Sequence, residues 1–505
     1  MTSGDTNGVI PRNPGVFRTD VSRATLLIAG VVTAVLIAFS SRYGYHRDEL
    51  YFLAAGHHLD LAYVDQGPLT PLIARAMREI AAGSLTVLRL PSAVAAGITV
   101  LLTGLLAREF GGSRRAERLS AACTGGAVIV LFTGHLLSTS TFDLLTWTMV
   151  TWLAARAVRT GDDRLWLVVG VVLGVGLLNK PLPVFLAGGL FAGVAIAGPR
   201  RLLRNRYVWA GAVIALVLWS PWVLWQAGHH WPQIEVSRSI AGGGSTSSQP
   251  WWAIVPFQFL LVSPPLGPVW IAGLVGLARD PAARNFRFLA WTWALLASLF
   301  MATGGKPYYL AGLLPVLIGA GSVQIDGWMR LDRDRTRRAV LTAVVAASAA
   351  TSVIIALPVL PAGSAGPVIA VNGDIGETMG WPEFARTIAD VYRGLPDARG
   401  AVIFTGNYGE AGAIDRFGPA LGLPRAYSGH NAYAEWGPPP EGGAPVIVVG
   451  VQPRLTATYF RNCTIVARIA NHAGVQNEEQ GRPVLVCEGP QSSWSFVWPE
   501  LRHVG

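Results

Sequence analysis

Three carboxylates crowd one short stretch of the chain. Asp48, Glu49 and Asp65 fall within 18 residues, in Tyr43-Gly-Tyr-His-Arg-Asp-Glu-Leu-Tyr-Phe and in Tyr63-Val-Asp-Gln-Gly-Pro-Leu-Thr-Pro. A fourth, Asp143, stands in Ser138-Thr-Ser-Thr-Phe-Asp-Leu-Leu-Thr-Trp. A carboxylate held near a reacting hydroxyl serves as a general base. The first-loop acids sit among Tyr45, Leu50, Tyr51, Phe52 and Leu53, a pattern that predicts an amphipathic helix lying at a membrane interface. The plainer readings are solvated loop acids and, for Asp143, a helix N-terminal residue favoured by the free N–H groups there. The functional reading is that Asp143 and the first-loop acids converge on one cavity at a membrane surface.

The cations are as informative. The chain has two lysines, Lys180 in Leu178-Asn-Lys-Pro-Leu-Pro and Lys306 in Gly304-Gly-Lys-Pro-Tyr-Tyr. An arginine-rich composition accounts for two scattered lysines, but a compact ammonium at a span edge also suits a phosphate emerging from a bilayer. His57, His58, His135, His229 and His230 show no HxxxH spacing, so histidine ligation of a metal is not favoured. Of the three cysteines, Cys123 lies in an apolar run, whereas Cys463 and Cys487 fall in a polar region and form a candidate disulfide if that region faces an oxidising compartment.

The elements that must position these groups are membrane helices. The 505 residues are 51% hydrophobic and 14% charged, well below the charge of a soluble domain. Eleven apolar stretches are expected to span: roughly 24–41, 86–107, 119–137, 143–158, 165–179, 182–198, 207–226, 254–277, 288–303, 308–325 and 339–358. Basic residues mark the cytoplasmic loops: Arg12, Arg18 and Arg23 come first, and a run that includes Arg330, Arg333 and Arg338 comes last. In all, 22 of the 40 basic residues fall there. The net charge of +10 is therefore the signature of a multi-span protein in contact with membrane lipids, and it leaves no basic groove for nucleic acid.

This topology places residues 1–23 inside, 24–358 in a multi-span domain and 359–505 outside. The tail reads as a small α/β domain. Its strand-like runs are Ala401–Thr405, Val446–Val451, Thr464–Ile469 and Val484–Cys487, and its helix-like runs are Trp381–Tyr392 and Glu410–Leu421. The acids and both lysines then share the outer side. A polyprenyl-phosphate sugar carries a leaving group already stable as an anion, so one carboxylate and a few cations suffice for transfer to a hydroxyl, whereas a glycosidase needs two opposed carboxylates and water.

Arg-Asp-Glu-Leu-Tyr-Phe at 47–52, Tyr-Val-Asp-Gln-Gly-Pro-Leu-Thr-Pro at 63–71, Phe-Asp at 142–143 and Gly-Lys-Pro-Tyr-Tyr at 305–309 resemble the GT-C membrane glycosyltransferases. The resemblance covers most of residues 20–330 and is greatest to the family 39-like group of protein O-mannosyltransferases and aminoarabinose transferases. It implies a helical polytopic fold with an extracytoplasmic C-terminal α/β domain. It also implies inverting transfer from a polyprenyl-phosphate donor to an acceptor hydroxyl at the outer face of the cell membrane. Asp48 maps onto the family's proposed base, with Glu49 beside it and Asp143 as the third catalytic acid. Arg47, Asp65, Gln66, Lys180, Lys306 and Tyr308 are the substrate-binding candidates.

Where this chain has Gln66, the aminoarabinose transferases carry a lysine. The tail segments Asn407-Tyr-Gly-Glu-Ala-Gly-Ala-Ile-Asp-Arg and Tyr427-Ser-Gly-His-Asn-Ala-Tyr resemble tails of actinobacterial relatives, where they either touch an acceptor or serve packing and turns. No cofactor is implied. A divalent cation among the acids is compatible with the residues, but the resemblance points to metal-independent transfer.

Two rival classes fit less well. A transporter or flippase of lipid-linked saccharides favours inverted repeats and polar residues at mid-membrane, and neither is seen. A non-catalytic assembly protein anchored by its spans needs one span rather than eleven.

Overall fold

The computed structural model describes residues 21–245, 248–331, 335–442 and 445–505. Of the residues used to orient the chain, Arg12, Arg18 and Arg333 lie outside these. The helices of the first two thirds are α1 (Arg23–Phe39), α2 (Arg47–His57), α3 (Leu69–Ile80), α4 (Leu85–Glu109), α5 (Arg114–Gly125), α6 (Val128–His135), α7 (Thr139–Thr160), α8 (Leu165–Leu177), α9 (Pro183–Ala197) and α10 (Arg206–Gly228). They continue as α11 (Pro232–Ala241), α12 (Ile254–Val262), α13 (Gly267–Arg279), α14 (Arg287–Thr303), α15 (Leu314–Leu331) and α16 (Arg335–Ala356).

Each of the eleven apolar stretches falls on helix, but they are not eleven straight spans. Among the described residues five helices are long and apolar enough to cross a bilayer, or seven if two bent pairs each count as one. The pair α5 and α6 bends by 56° beyond Gly125-Gly126. The stretch expected at 254–277 breaks by 99° between α12 and α13, where Ser263 has φ 84° and the next two residues, Pro264 and Pro265, have no N–H to donate. Helices α8 and α9 have 13 and 15 residues, or roughly 20 Å of rise, short of the ~30 Å hydrocarbon layer. Helix α7 is a buried core helix, with Trp147 fully enclosed. Its threonines are reconciled to that interior by bonding back one turn, Thr148 to the Leu144 carbonyl and Thr151 to that of Trp147, each at 2.7 Å.

The C-terminal region is an α/β unit. It contains α17 (Gly366–Ile369), α18 (Trp381–Arg393), α19 (Tyr408–Phe417), α20 (Ala432–Glu435), α21 (Pro453–Tyr459) and α22 (Trp494–Leu501). Its strands are β1 (Val402–Thr405), β2 (Ala426–Ser428), β3 (Val446–Val449), β4 (Phe460–Arg461), β5 (Thr464–Arg468), β6 (Pro483–Cys487) and β7 (Gly489–Pro490). The main sheet has the order β2-β1-β3-β6-β5. Strand β1 pairs parallel with β2 and β3, and β6 runs antiparallel to β3 and β5. β1 and β3 are buried along their whole length, as apolar runs covered on both faces must be. A disulfide joins Cys463 to Cys487.

A hydrophobic cluster joins the two regions. Leu50, Tyr51 and Phe52 of α2 pack with Trp381, Phe384, Ala411 and Ile414 of the C-terminal unit. Nine of the eleven α2 residues are buried. The expected interfacial helix is thus an enclosed one: its apolar residues face protein on both sides rather than lipid.

Candidate active site

Helix α2 sets out its two acids in opposite environments. Its N-terminus is capped by His46, whose Nδ1 accepts the Asp48 amide at 3.2 Å, while Glu49 accepts the His46 amide at 2.8 Å. Consecutive helical residues point about 100° apart. Glu49 therefore turns into the bundle, where it takes two hydrogen bonds from Arg89 of α4, at 2.7 and 2.8 Å, and one from the Leu137 amide at 2.9 Å. Arg89 also donates to the Ser40 and Gly44 carbonyls, each at 2.6 Å, and its Nη1 lies 3.4 Å from the His135 ring nitrogen. With no side-chain surface exposed and its acceptor sites occupied, Glu49 fixes the helix and has no lone pair left for a substrate.

Asp48 faces the other way and keeps 39% of its side-chain surface exposed. The Tyr408 hydroxyl donates to its Oδ1 at 2.8 Å. Its Oδ2 has the His46 ring at 3.9 Å. Burial pushes the Asp48 carboxyl up, but His46, Arg47 and the Tyr408 hydroxyl together outweigh it and hold the group below the usual range. Asp65 behaves oppositely. Burial, with the Asp48 charge adding, pushes it up to about 6, against the opposing hydrogen bond from Tyr51. Its oxygens accept the Tyr51 hydroxyl at 2.7 Å and the Asn431 amide at 3.1 Å. Tyr51 itself stacks between Tyr408, at 4.6 Å, and Tyr433, at 6.4 Å.

Three distant stretches are tied together beneath these acids. Asn179 is fully buried; its side chain accepts from Thr70 at 2.6 Å and donates to the Thr139 carbonyl at 2.8 Å. The Gly67 and Leu69 amides bond to the Asn179 and Leu178 carbonyls at 3.1 and 3.0 Å. Only glycine fits at 67, because a Cβ would stand 2.0 Å from the Leu178 oxygen. This clamp brings Lys180 beside the Asp65 loop and the start of α7. The Lys180 ammonium lies over the rings of Tyr308 and Tyr309, at 5.3 and 5.6 Å. Lys306 donates to Ser245 at 2.8 Å. Burial and then the Lys180 charge lower its ammonium to about 8.

Asp143 sits one turn into α7 and accepts the Trp147 indole N–H at 3.1 Å. The cap of that helix is Ser138, which accepts the Ser140 amide, so capping does not explain Asp143. Gln66 is 3% exposed and neither atom of its amide has a partner among the described residues. Arg47 is engaged by the C-terminal unit: it pairs with Glu478 at 2.7 Å, lies 3.9 Å from Glu377 and covers the Tyr408 ring at 5.2 Å. Cys463 and Cys487 take no part, being at the far side of the main sheet.

Sequence reasoning missed Tyr408, Asn431, Asn179 and Arg89 as site builders. The first two lie inside the tail segments singled out above, whose polar and glycine-rich pattern was the available signal. Beside the Asp65 loop opens a cavity of about 320 Å³ lined by His58, Asp60, Trp225, His229, Glu435 and Trp436, among others. Its aromatic walls are paired rings, His58 on Trp436 at 4.3 Å and His229 on Trp225 at 3.9 Å.

Known proteins share this fold. Residues 65–225 match the family model of dolichyl-phosphate-mannose-protein mannosyltransferases. The chain superposes on ArnT from Cupriavidus metallidurans in the apo state with TM-score 0.61 at 15% identity, covering 92% of this chain and 99% of that one. The chain has the GT-C membrane glycosyltransferase fold. The same GT-C fold in ArnT bound to undecaprenyl phosphate superposes with TM-score 0.54 over the same shares, also at 15% identity.

In sequence, the chain is 28% identical over 267 residues to undecaprenyl phosphate-alpha-4-amino-4-deoxy-L-arabinose arabinosyl transferase 1 of Pseudomonas fluorescens, covering 48% of this chain and 44% of the relative. It is 26% identical over 321 residues to the corresponding transferase of Pseudomonas savastanoi, with 58% and 57% covered. The chain spans about half the length of the curated relatives it matches.

Proposed function

We propose that the protein is an inverting glycosyltransferase that moves a sugar from a polyprenyl-phosphate donor to an acceptor hydroxyl on the outer face of the cell membrane. The observation that carries this reading is the juxtaposition of one half-exposed, ionised carboxylate, Asp48, with two lysines on separate loops. The lysines lie near enough for their charges to act on the neighbouring acids, Lys306 on Asp48 and Lys180 on Asp65. The similarity to transferases whose names specify an undecaprenyl-phosphate donor supports it.

In this mechanism Asp48 takes the proton of the acceptor hydroxyl through Oδ2 as that oxygen attacks the anomeric carbon. The bond from that carbon to the phosphate oxygen breaks on the opposite side, so configuration inverts. The departing polyprenyl phosphate keeps its electrons as an anion and is held by Lys180 and Lys306. Tyr408 and Arg47 hold Asp48 in its ionised form. Glu49 fixes α2 from behind. Asp65, Asp143 and the unpartnered amide of Gln66 supply polar contacts for the sugar, since a buried amide without a partner costs about 1–3 kcal/mol until a ligand or water meets it. The aromatic cavity beside Asp65 is the natural seat for the acceptor. Residues 359–505 form the extracytoplasmic domain in this reading, which the Cys463–Cys487 disulfide supports.

Asp48→Asn tests the assignment. With membranes and radiolabelled polyprenyl-phosphate sugars, transfer should fall by roughly 10²–10⁴-fold, the usual worth of a general base, at unchanged expression and melting temperature. A fully active Asn variant refutes Asp48 as the base.

A further inference from the structure

Against the Arg47 guanidinium three glutamates meet. Glu377 comes from the turn before α18, and Glu478 and Glu479 from the loop between β5 and β6. One carboxylate oxygen of each lies within 4.8 Å of the others. Glu377 is 6% and Glu479 3% exposed, whereas the Glu478 side chain keeps 30% of its surface open. An acidic cluster alone says little, but Glu479 has a second property. It is almost wholly enclosed, and neither of its oxygens has a donor in hydrogen-bond geometry, the Asn407 side chain acting on it only from nearby; Oε2 of Glu377 also lacks such a donor and has the Arg47 guanidinium at 3.9 Å. A buried carboxylate in that condition is costly unless a cation meets it.

The acids outnumber the cations that reach them. Glu410 of α19 acts electrostatically on Glu479, making four acids, while Arg47 and Arg482 are the cations whose charges reach the group. Fully ionised, the group would carry two negative charges in excess; burial and the neighbouring carboxylates push Glu377 and Glu479 up to about 8, so either protons or a bound cation must offset them. The donors are all carboxylate oxygens, with no sulfur or imidazole, which suits a hard ion. Their spread accommodates Ca²⁺ with water completing the shell from the exposed Glu478 side, while Mg²⁺ demands tighter octahedral geometry and dehydrates reluctantly.

We propose that Glu377, Glu478 and Glu479 form a Ca²⁺ site. The ion would tie the β5–β6 loop to the start of α18 and, through Glu478, fix Arg47 at the first turn of α2. Its role is positioning, since none of its ligands reaches the reacting atoms. The proposal does not depend on the transferase reading, and its test reads binding rather than turnover.

The full-length protein in detergent, stripped with EDTA, is to be titrated with ⁴⁵CaCl₂ by equilibrium dialysis and followed by thermal unfolding. The expected result is one Ca²⁺ per chain and a higher melting temperature with calcium. Glu479→Gln should bind at least tenfold more weakly, and Glu377→Gln likewise, while Glu435→Gln, outside the cluster, binds as wild type. Calcium-free Glu479→Gln should melt no lower than calcium-free wild type, because the amide removes repulsion and keeps shape. Absence of binding at millimolar Ca²⁺, equal binding by Glu479→Gln, or tighter binding of Mg²⁺ than of Ca²⁺ overturns the assignment.

Discussion

Two adjacent acids, Asp48 and Glu49, divide the work of the site because a helix turns them apart. The sequence shows the pair and the resemblance implies a role for it, but which acid is left free to meet a substrate depends on Arg89, 40 residues away on α4. Glu49 is paired at 0% exposure with an arginine that is itself 1% exposed. Removing one partner of such a pair strands the other charge, at about 3–5 kcal/mol. Glu49→Ala should therefore lower the melting temperature sharply and reduce folded yield, whereas Asp48→Asn should not. Equal stability of the two variants would show that Glu49 is not the anchor.

Lys306 gives a second residue-scale prediction. Its ammonium titrates near 8, chiefly because it is buried and next because Lys180 is near. It is charged below that pH and neutral above it. If it holds the donor phosphate, donor affinity should weaken as pH rises through about 8, and Lys306→Arg should flatten that dependence, since a guanidinium stays charged. Binding of undecaprenyl phosphate measured from pH 6.5 to 9.5 checks it. A wild-type profile that matches the Arg variant removes Lys306 from phosphate binding.

At the scale of elements, the join between α2 and α19 decides whether Asp48 meets Tyr408. The two helices touch backbone to backbone because α19 carries glycines on the contacting face. A Cβ at Gly412 would lie 2.9 Å from the Leu50 Cβ and 3.1 Å from its carbonyl oxygen, and one at Gly409 would lie 2.9 Å from the Arg47 Cβ. Gly412→Val should push the helices apart, exposing the C-terminal unit to limited proteolysis and lowering transfer severalfold, while Gly422→Ala, where a Cβ meets nothing within 4 Å but φ is 77°, should cost local stability without undocking. Identical proteolysis of the Gly412 variant and wild type would contradict this.

The glycine spacing Gly409 and Gly412 was visible in the sequence, but its partner was not. Period and composition reveal an element's type, while its neighbour is chosen by long-range packing. Strands β1, β3, β5 and β6 declared themselves by apolar runs, whereas β2 has three residues, too few to carry a pattern. The break between α12 and α13 was written in Ser263-Pro264-Pro265, but the surrounding apolar run hid it within a single expected span.

At the scale of the whole molecule, charge asymmetry orients everything else. In the topology expected from the sequence the arginine-rich loops lie on the side opposite the site acids, Lys180 and Lys306, so the proposed reaction belongs outside if those loops are cytoplasmic. The disulfide offers a direct test. Cys463 is partly exposed, Cys487 is buried and Cys123, the remaining cysteine, is enclosed in the bundle at 0% exposure. Intact cells treated with an impermeant phosphine and then an impermeant maleimide should be labelled at Cys463, with Cys123 silent and Cys463→Ser unlabelled or labelled only at a then-unpaired Cys487. Labelling that requires lysis would place the C-terminal domain inside. That result would also sink the outer-face reaction, because Tyr408 and Asn431 of that domain bond directly to Asp48 and Asp65, and the two halves of the site must share one side of the membrane.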